Sequence, residues 1–348
     1  MQLGTSVRFL FPGSERTDEF YAAMQANLPP GAFTERPLGP LGPANQAAQL
    51  EAIAGAAAEA RLWGMLVGDN HAIPAVYANC FQPVPSIARL STMTADLLIG
   101  AVVLAPFYNP LLLAEQIGTL AAFTDAPQMW VFAVGGNGRT FERTGIPMNE
   151  RGRRTSRIME VVGRLLAGET VTASGPGWEL DEASIAPLPA VRPYLFVGGA
   201  ADAVLRRGAR LGDGWLTAQN STDDELATQL DYYRQQCAVH DKTPFPVLRR
   251  DILVTETDQE ALDIVQPILD VGYRGVTIER LLVGSPDTIL ERLAGYDAAG
   301  FNHVMVRHVT GNTDTIVRSI QLLGEHVIPT INSWPEHDLP VRPTQETR

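Results

Sequence analysis

Eight short apolar runs recur along the chain, at Val7–Phe11, Met65–Gly68, Leu97–Leu104, Met129–Val134, Tyr194–Val197, Gly214–Thr217, Asp251–Val254 and His303–Val306. Runs of this length predict strands buried on both faces. Between several of them lie amphipathic stretches, such as Gln46–Arg61, Pro110–Phe123 and Asp287–Ala299. Strand and helix therefore alternate, which predicts a parallel sheet covered by helices. Eight such units within 348 residues fit a (β/α)8 TIM barrel better than two doubly wound domains. No low-complexity linker divides the chain, so residues 1–332 read as one barrel domain and 333–348 as a polar tail.

Three stretches interrupt the alternation. Residues 27–45 are rich in Pro and Gly and read as a long loop after the first strand. Residues 137–192 form a large insertion between the fourth and fifth strands. Within it, 168–180 reads as a hairpin, with β-branched alternation, a Ser174-Gly175-Pro176-Gly177 turn and then Trp178. Residues 257–286 also exceed a simple βα connection. The first two leave from the C-terminal ends of strands, the face of the barrel where active sites lie.

Composition narrows the partners. Hydrophobic residues make up 45% and charged residues 19%, enough apolar material for a large core. A formal charge of −12 argues against a nucleic-acid backbone or an anionic membrane surface. The two cysteines, Cys80 and Cys237, are far apart and make no disulfide framework or metal spacing. No signal-type start is seen, and the longest apolar run, Leu97 to Phe107, is too short to span a bilayer. A soluble, cytoplasmic protein is the expectation.

The segment 193–217 carries the clearest chemistry. The run Tyr194–Val197 is followed at once by Gly198 and Gly199, then a helix-like run through Arg210, then a Gly-Asp-Gly break and Trp215. Glycines between strand and helix let backbone approach a ligand, and the helix start offers N–H groups to a phosphate. The plain alternative is a tight βα turn. Arg206 and Arg207, further along that helix, either curl back to the anion or make salt bridges on the exterior.

Other candidates are weaker individually. Asp69-Asn70-His71 follows the second strand, where polar groups are candidates for catalysis; otherwise Asp69 caps a helix and His71 is solvated. Gly135-Gly136-Asn137-Gly138 after the fourth strand suggests a nest or a close approach to a flat ligand. It is neither a Walker motif nor a dinucleotide fingerprint. Arg151, Arg153, Arg154 and Arg157 read first as a solvated helix face paired with Glu150 and Glu160. His303 and His308, five apart, point to opposite faces of a strand. No pattern supports a metal site or a serine nucleophile elbow.

Taken in order, these pieces resemble the bacterial luciferase-like family of flavin- and deazaflavin-dependent oxidoreductases. The resemblance runs from about residue 45 to 310. It is carried by Ala57-Ala58-Glu59-Ala60-Arg61-Leu62-Trp63-Gly64 leading into Val67-Gly68-Asp69-Asn70-His71, and by Ile99–Pro106 with Asn109-Pro110. It continues through Phe141–Pro147, Asn149-Glu150-Arg151-Gly152-Arg153-Arg154, the 168–180 hairpin, Val197-Gly198-Gly199 and Gly212-Asp213-Gly214-Trp215.

The resemblance implies a reduced flavin, FMN, across the C-terminal mouth of the barrel. Its phosphate would lie against Gly198, Gly199 and Ala200, with Arg206 as a candidate helper. Its ring would be supported near Val102 and Val103 by a bulge or a non-prolyl cis peptide, which costs about 3–4 kcal/mol. Gly135, Gly136 and Asn137 are further cofactor candidates, and His71 and Asn70 the catalytic ones. A monooxygenase of this kind acts on a small organic substrate with dioxygen, takes reduced flavin from a separate reductase, and is expected to form a homodimer. The alternatives are a reductase or dehydrogenase using the 8-hydroxy-5-deazaflavin coenzyme, and a non-catalytic flavin-barrel homologue. The chain departs from its relatives at two positions. Asn70 stands where members commonly carry a catalytic His, and Gly138 where the deazaflavin sugar-phosphate dehydrogenases carry Glu. That disfavours the sugar-phosphate reaction while leaving the deazaflavin cofactor open.

Overall fold

A computed structural model describes residues 1–7, 10–12, 43–72, 78–94, 97–270 and 272–335. Most of the loop expected at 27–45, and the tail from 336, lie outside the described residues. Eight parallel strands close into a ring. They are β1 (Gln2–Val7), β2 (Gly64–Val67), β3 (Leu98–Leu104), β4 (Gln128–Ala133), β5 (Tyr194–Gly198), β6 (Gly214–Leu216), β7 (Pro246–Val254) and β8 (His303–His308). Each pairs with the next, and β8 pairs with β1 from Gln2↔His303 to Ser6↔Arg307. Helices cover the outside, among them α1 (Pro43–Glu59), α2 (Pro83–Leu90), α3 (Pro110–Ala121), α4 (Arg151–Leu166), α5 (Asp202–Leu211), α6 (Asp223–Val239), α7 (Pro286–Ala299) and α8 (Thr313–Leu322). The predicted TIM barrel is therefore present.

The helix starts follow local chemistry. Asn109 accepts the N–H groups of Leu111 and Leu112 to open α3. At α6, Thr222 and Glu225 form a reciprocal capping box.

The first strand differs from expectation. The barrel strand is Gln2–Val7, and Leu10–Pro12 instead pairs antiparallel with Ala78–Cys80, outside the ring. The small or polar residues Gln2, Gly4 and Ser6 alternate with Leu3, Thr5 and Val7, so β1 has little continuous apolar signal. A strand at Leu282–Gly284 was also missed. It pairs with the far end of β7, from Ile252↔Leu282 to Val254↔Gly284, and a helix Asp258–Asp270 precedes it. Beneath this insertion lies a separate small core that includes Leu253, Ile268, Tyr273 and Val309.

Within 137–192, the antiparallel pair Val171–Gly175 and Trp178–Ala183 forms the expected hairpin. Arg154 of α4 donates to Pro176 O at 2.6 Å and ties its turn down. Arg153 and Arg157 pair with Glu150 and Glu160 at 3.0 and 3.1 Å, as a helix face would.

Alternation along the strands places the site. Ile99, Ala101 and Val103 face the helices, while Leu98 and Val102 face the barrel interior. The lower interior is filled by bulky groups, including Met129, Tyr194, Phe196, Phe245 and Met305. The Phe245 ring meets Phe196 and His303 with centroids 5.0 Å apart in both cases. Toward the C-terminal ends the inward positions become small, at Ala133 and Gly198, and the packed core gives way to a cavity. No described helix is long and apolar enough to cross a membrane.

Candidate active site

The cavity measures about 280 Å³ and opens at the C-terminal mouth of the barrel. Every strand of the ring contributes a residue, seven of them at or just after the strand's C-terminal half and β7 through Arg249, short of its midpoint. Ser6 comes from β1, Gly68 and Asp69 from the end of β2, Val102 from β3, and Ala133 from β4. Gly198 and Gly199 come from β5, Leu216 through Gln219 from β6, Arg249 from β7 and Arg307 from β8. Strand ends converge there because the barrel is parallel, which is why the chemistry collects at this face.

Asp69 organises one side. Its Oδ2 accepts the Leu104 N–H at 2.8 Å and the Tyr108 hydroxyl at 3.0 Å, and lies 3.1 Å from His71 Nε2. With the Nε2 proton directed at Asp69, Nδ1 becomes the basic nitrogen of the imidazole. The His71 ring also meets Phe107 and Tyr108 edge-on, at 5.3 and 5.5 Å. Burial, followed by the Asp69 charge, holds the Tyr108 phenol well above its ordinary pKa, so it stays a hydrogen-bond donor. The same two influences push the Cys80 thiol up to about 11. Asn70 turns inward on its own segment, its Oδ1 accepting the His71 N–H at 2.9 Å.

The glycine turn sits on the opposite arc. Gly199 has φ +136°, a conformation side chains rarely adopt. A Cβ on Gly198 would come within 3.1 Å of Val131 Cγ1. Trp215 Nε1 donates to Gly199 O at 2.6 Å and Gly199 N–H donates to Leu216 O at 3.1 Å, so the turn is held from β6. The helix it feeds, α5, has Ala201 as its N-cap and no side-chain cap, which leaves first-turn N–H groups for a ligand or solvent. Ala200 is half-buried between the two.

The other predicted residues are placed differently. Val102 lines the cavity, but Val103 turns its side chain into the helical layer. The expected bulge or cis bond there is absent. Among the described residues the cis bond is Ala186–Pro187, and β3 pairs with β4 unbroken from Ile99↔Gln128 to Leu104↔Ala133. A continuous ladder already satisfies both strands, so no local distortion is needed.

Gly135, Gly136 and Asn137 do not line the cavity. Asn137 caps the helix Gly138–Thr144 through the Arg139 N–H at 3.1 Å, and Gly135 has φ +71°. Arg206 lies on the outer layer, donating to the Tyr232 hydroxyl at 2.7 Å. Arg207 is buried against α4, bonded to Ser156 Oγ at 2.7 Å and Gly152 O at 3.0 Å.

Sequence reading missed the third side of the cavity. Arg249 and Arg307 line it, and Arg307 Nη2 donates to Asp251 Oδ2 at 2.8 Å and to the Tyr273 hydroxyl at 2.7 Å. The charged residues inside an otherwise apolar strand, Arg249 and Asp251, were the available signal. Arg250 between them points the opposite way. It is fully buried, and donates to Tyr296 Oη, Ser221 O and Asp223 at 3.0, 2.9 and 3.0 Å.

The arrangement fits a flavin on two counts. The rim offers a glycine cradle beside an uncapped helix start, and the floor offers an apolar surface at Val102, Ala133 and Leu216. Ser6 Oγ and Asp69 Oδ1 are also buried without a hydrogen-bond partner among the described residues, as expected of groups facing a ligand. Among the described residues no three His, Cys, Asp or Glu side chains cluster as a metal site would require.

Comparisons with known proteins agree with this geometry. The model of the luciferase-like monooxygenase family matches residues 31–279. The chain is 25% identical over 281 residues to the F420-dependent glucose-6-phosphate dehydrogenase of Microbacterium testaceum, covering 71% of this chain and 82% of that one. It is 22% identical over 281 residues to the FMNH2-dependent dimethylsulfone monooxygenase of Pseudomonas fluorescens, covering 70% and 75%. The crystal structure of monooxygenase RslO1 from Streptomyces bottropensis superposes with a TM-score of 0.75 at 19% identity, covering 95% of this chain and 99% of that one. The chain spans 65% of the length of the Mycobacterium tuberculosis and Mycobacterium bovis proteins it matches at 29% identity.

Proposed function

The chain belongs to the luciferase-like monooxygenase family, and for it we propose an FMN-dependent monooxygenation of a small organic substrate. The observation that carries this reading is a single cavity that brings the Gly198–Gly199 turn and Asp69, bonded to His71, to one barrel mouth. When bound there, reduced FMN supplies the electrons with which dioxygen is activated. Gly198 and Gly199 let the phosphate approach the backbone closely, and Ala200 with the uncapped first turn of α5 supplies the N–H groups that hold it. Val102, Ala133 and Leu216 give the ring an apolar seat and keep water from the reacting centre.

Asp69 lines the cavity with His71 hydrogen-bonded behind it, and this pair takes up or returns the proton that the substrate exchanges. This pair gives the chain a proton-handling group despite Asn at position 70, which favours catalysis over a non-catalytic barrel. A separate flavin reductase supplies the reduced cofactor, and two copies of the chain pair.

Fluorescence titration with FMN and with the deazaflavin, each oxidised and reduced, tests the cofactor. Tighter binding of reduced FMN is expected, with substrate oxidation that stops when dioxygen is removed. Tighter binding of the deazaflavin, with turnover undiminished without dioxygen, assigns the chain to the deazaflavin-dependent reductases and dehydrogenases instead. Binding of neither overturns both readings.

A further inference from the structure

We propose that Arg249 and Arg307 form an anion-recognising wall of the cavity and that the substrate carries a carboxylate, sulfonate or phosphate group which docks on it. The inference rests on the flavin-dependent reading above and names the class of substrate for that same site.

Both guanidinium-bearing residues line the cavity, from adjacent strands β7 and β8. In a chain with a formal charge of −12, two arginines in a pocket whose remaining charged lining residue is Asp69 are a local reversal of sign. Strand geometry makes them one surface. Arg249 and Asp251 lie two residues apart, on one face of β7, and Asp251 is in register with Arg307 across the ladder.

The Arg307 guanidinium is positioned with care. Asp251, buried at 2% side-chain exposure, holds it at 2.8 Å, and the Tyr273 hydroxyl reaches both Asp251 and Arg307. Arg274 approaches the same carboxylate oxygen at 3.5 Å. Its backbone is held at φ +51° between Gly272 at +85° and Gly275 at +63°. A non-glycine residue kept in that region marks a segment whose surroundings impose the conformation, as happens at ligand sites. The short turn 272–275 thus acts as a brace for Asp251, and Asp251 for Arg307. Asp251, Tyr273 and Arg274 are positioning residues, and Arg249 and Arg307 are the ones that line the pocket.

The cavity is consequently polarised. The cationic wall lies at β7 and β8, while the carboxylate of Asp69 stands at the end of β2, where three donors already converge on one oxygen. An anionic substrate therefore has one orientation, with its charged end on the arginines and its reacting end toward Asp69 and His71. Guanidinium forks suit such groups because they can donate two parallel hydrogen bonds to a carboxylate, sulfonate or phosphate.

The test uses sulfate as the probe, with chloride at equal ionic strength as the control. Thermal unfolding and calorimetric titration are run on the full chain, with and without saturating FMN. Saturable sulfate binding is expected in both states, weakened at least about tenfold in Arg249→Met and partly restored in Arg249→Lys, since a single point charge replaces a fork. Arg307→Met is a second variant, read by titration only after its folding is verified by circular dichroism.

Absence of saturable sulfate binding overturns the proposal, as does binding unchanged in Arg249→Met. Mutual exclusion of sulfate and FMN, with Arg249→Met weakening FMN but not riboflavin, also overturns it by assigning the wall to the cofactor phosphate. Sulfate binding intact in a protein that binds neither flavin nor deazaflavin supports the anion wall and overturns the cofactor reading alone.

Discussion

Asp69 and His71, two residues apart at the end of β2, are joined by a 3.1 Å contact between Oδ2 and Nε2 in which the aspartate, not the histidine, lines the cavity. The histidine is thus oriented from the pocket side by a carboxylate that is itself anchored by Leu104 and Tyr108. That relationship gives position 69 a part in the site as large as that of position 71.

Asp69→Asn is expected to lower kcat by on the order of 100-fold, the scale of a lost general acid or base, with FMN affinity little changed. His71→Ala should fall in the same range. Because the two act as a unit, the double variant should be scarcely worse than either single one. Steady-state kinetics on all three variants check this, and additive losses would mean that the residues work separately.

Gly199→Ala places a side chain on a backbone at φ +136°, at a strain of about 1–3 kcal/mol. The turn should shift to relieve it. FMN binding should weaken by more than riboflavin binding, since riboflavin lacks the phosphate that the turn is proposed to hold. Parallel titrations with the two ligands give the comparison, and equal losses would remove the phosphate from this turn.

Arg249 and Arg250 are adjacent in sequence and opposite in role. Arg250→Met strips donors from Ser221 O and Tyr296 Oη in a fully buried setting, and should cost about 3 kcal/mol of stability. Arg249→Met, half-buried on the cavity side, should cost less stability than Arg250→Met. Urea unfolding of both variants measures the contrast, and similar values would mean that the assignment of faces on β7 is wrong.

His308 supplies a pH dependence of stability. Its ring faces away from the barrel interior, fully buried, and burial lowers its pKa from 6.5 to about 4 despite the nearby Asp251 charge. The unfolded chain therefore binds the proton more readily than the folded one between these values. Stability should be fully present above pH 6.5 and decline as pH falls toward 4, by about 3 kcal/mol for this group. Urea unfolding between pH 7.5 and 4.5 should show this slope in the wild type and a shallower one in His308→Gln. Equal slopes would remove His308 as the cause.

Much of the barrel was legible because its signals are local. A strand of four to seven apolar residues, an Asn or Thr cap, and a hairpin turn each depend on neighbours a few positions away. Hence seven of the eight strand positions, the 168–180 hairpin and the Gly198–Gly199 turn could be located from the chain alone. The first strand escaped because Gln2, Gly4 and Ser6 alternate with Leu3, Thr5 and Val7 and leave no continuous apolar run.

The cavity's chemistry depended on closure itself. Nothing near Arg307 in sequence shows that it will meet Asp251, 56 residues away, since that pairing follows from the register of β7 against β8. The outward turn of Arg206 toward Tyr232, and of Val103 into the helical layer, were likewise settled by which face of each element the closed ring turns inward. Periodicity along the chain determined what the elements are and where ligand-holding turns fall. Only the tertiary structure decided which side chains share the mouth, because strand register and ring closure bring together residues that no local pattern relates.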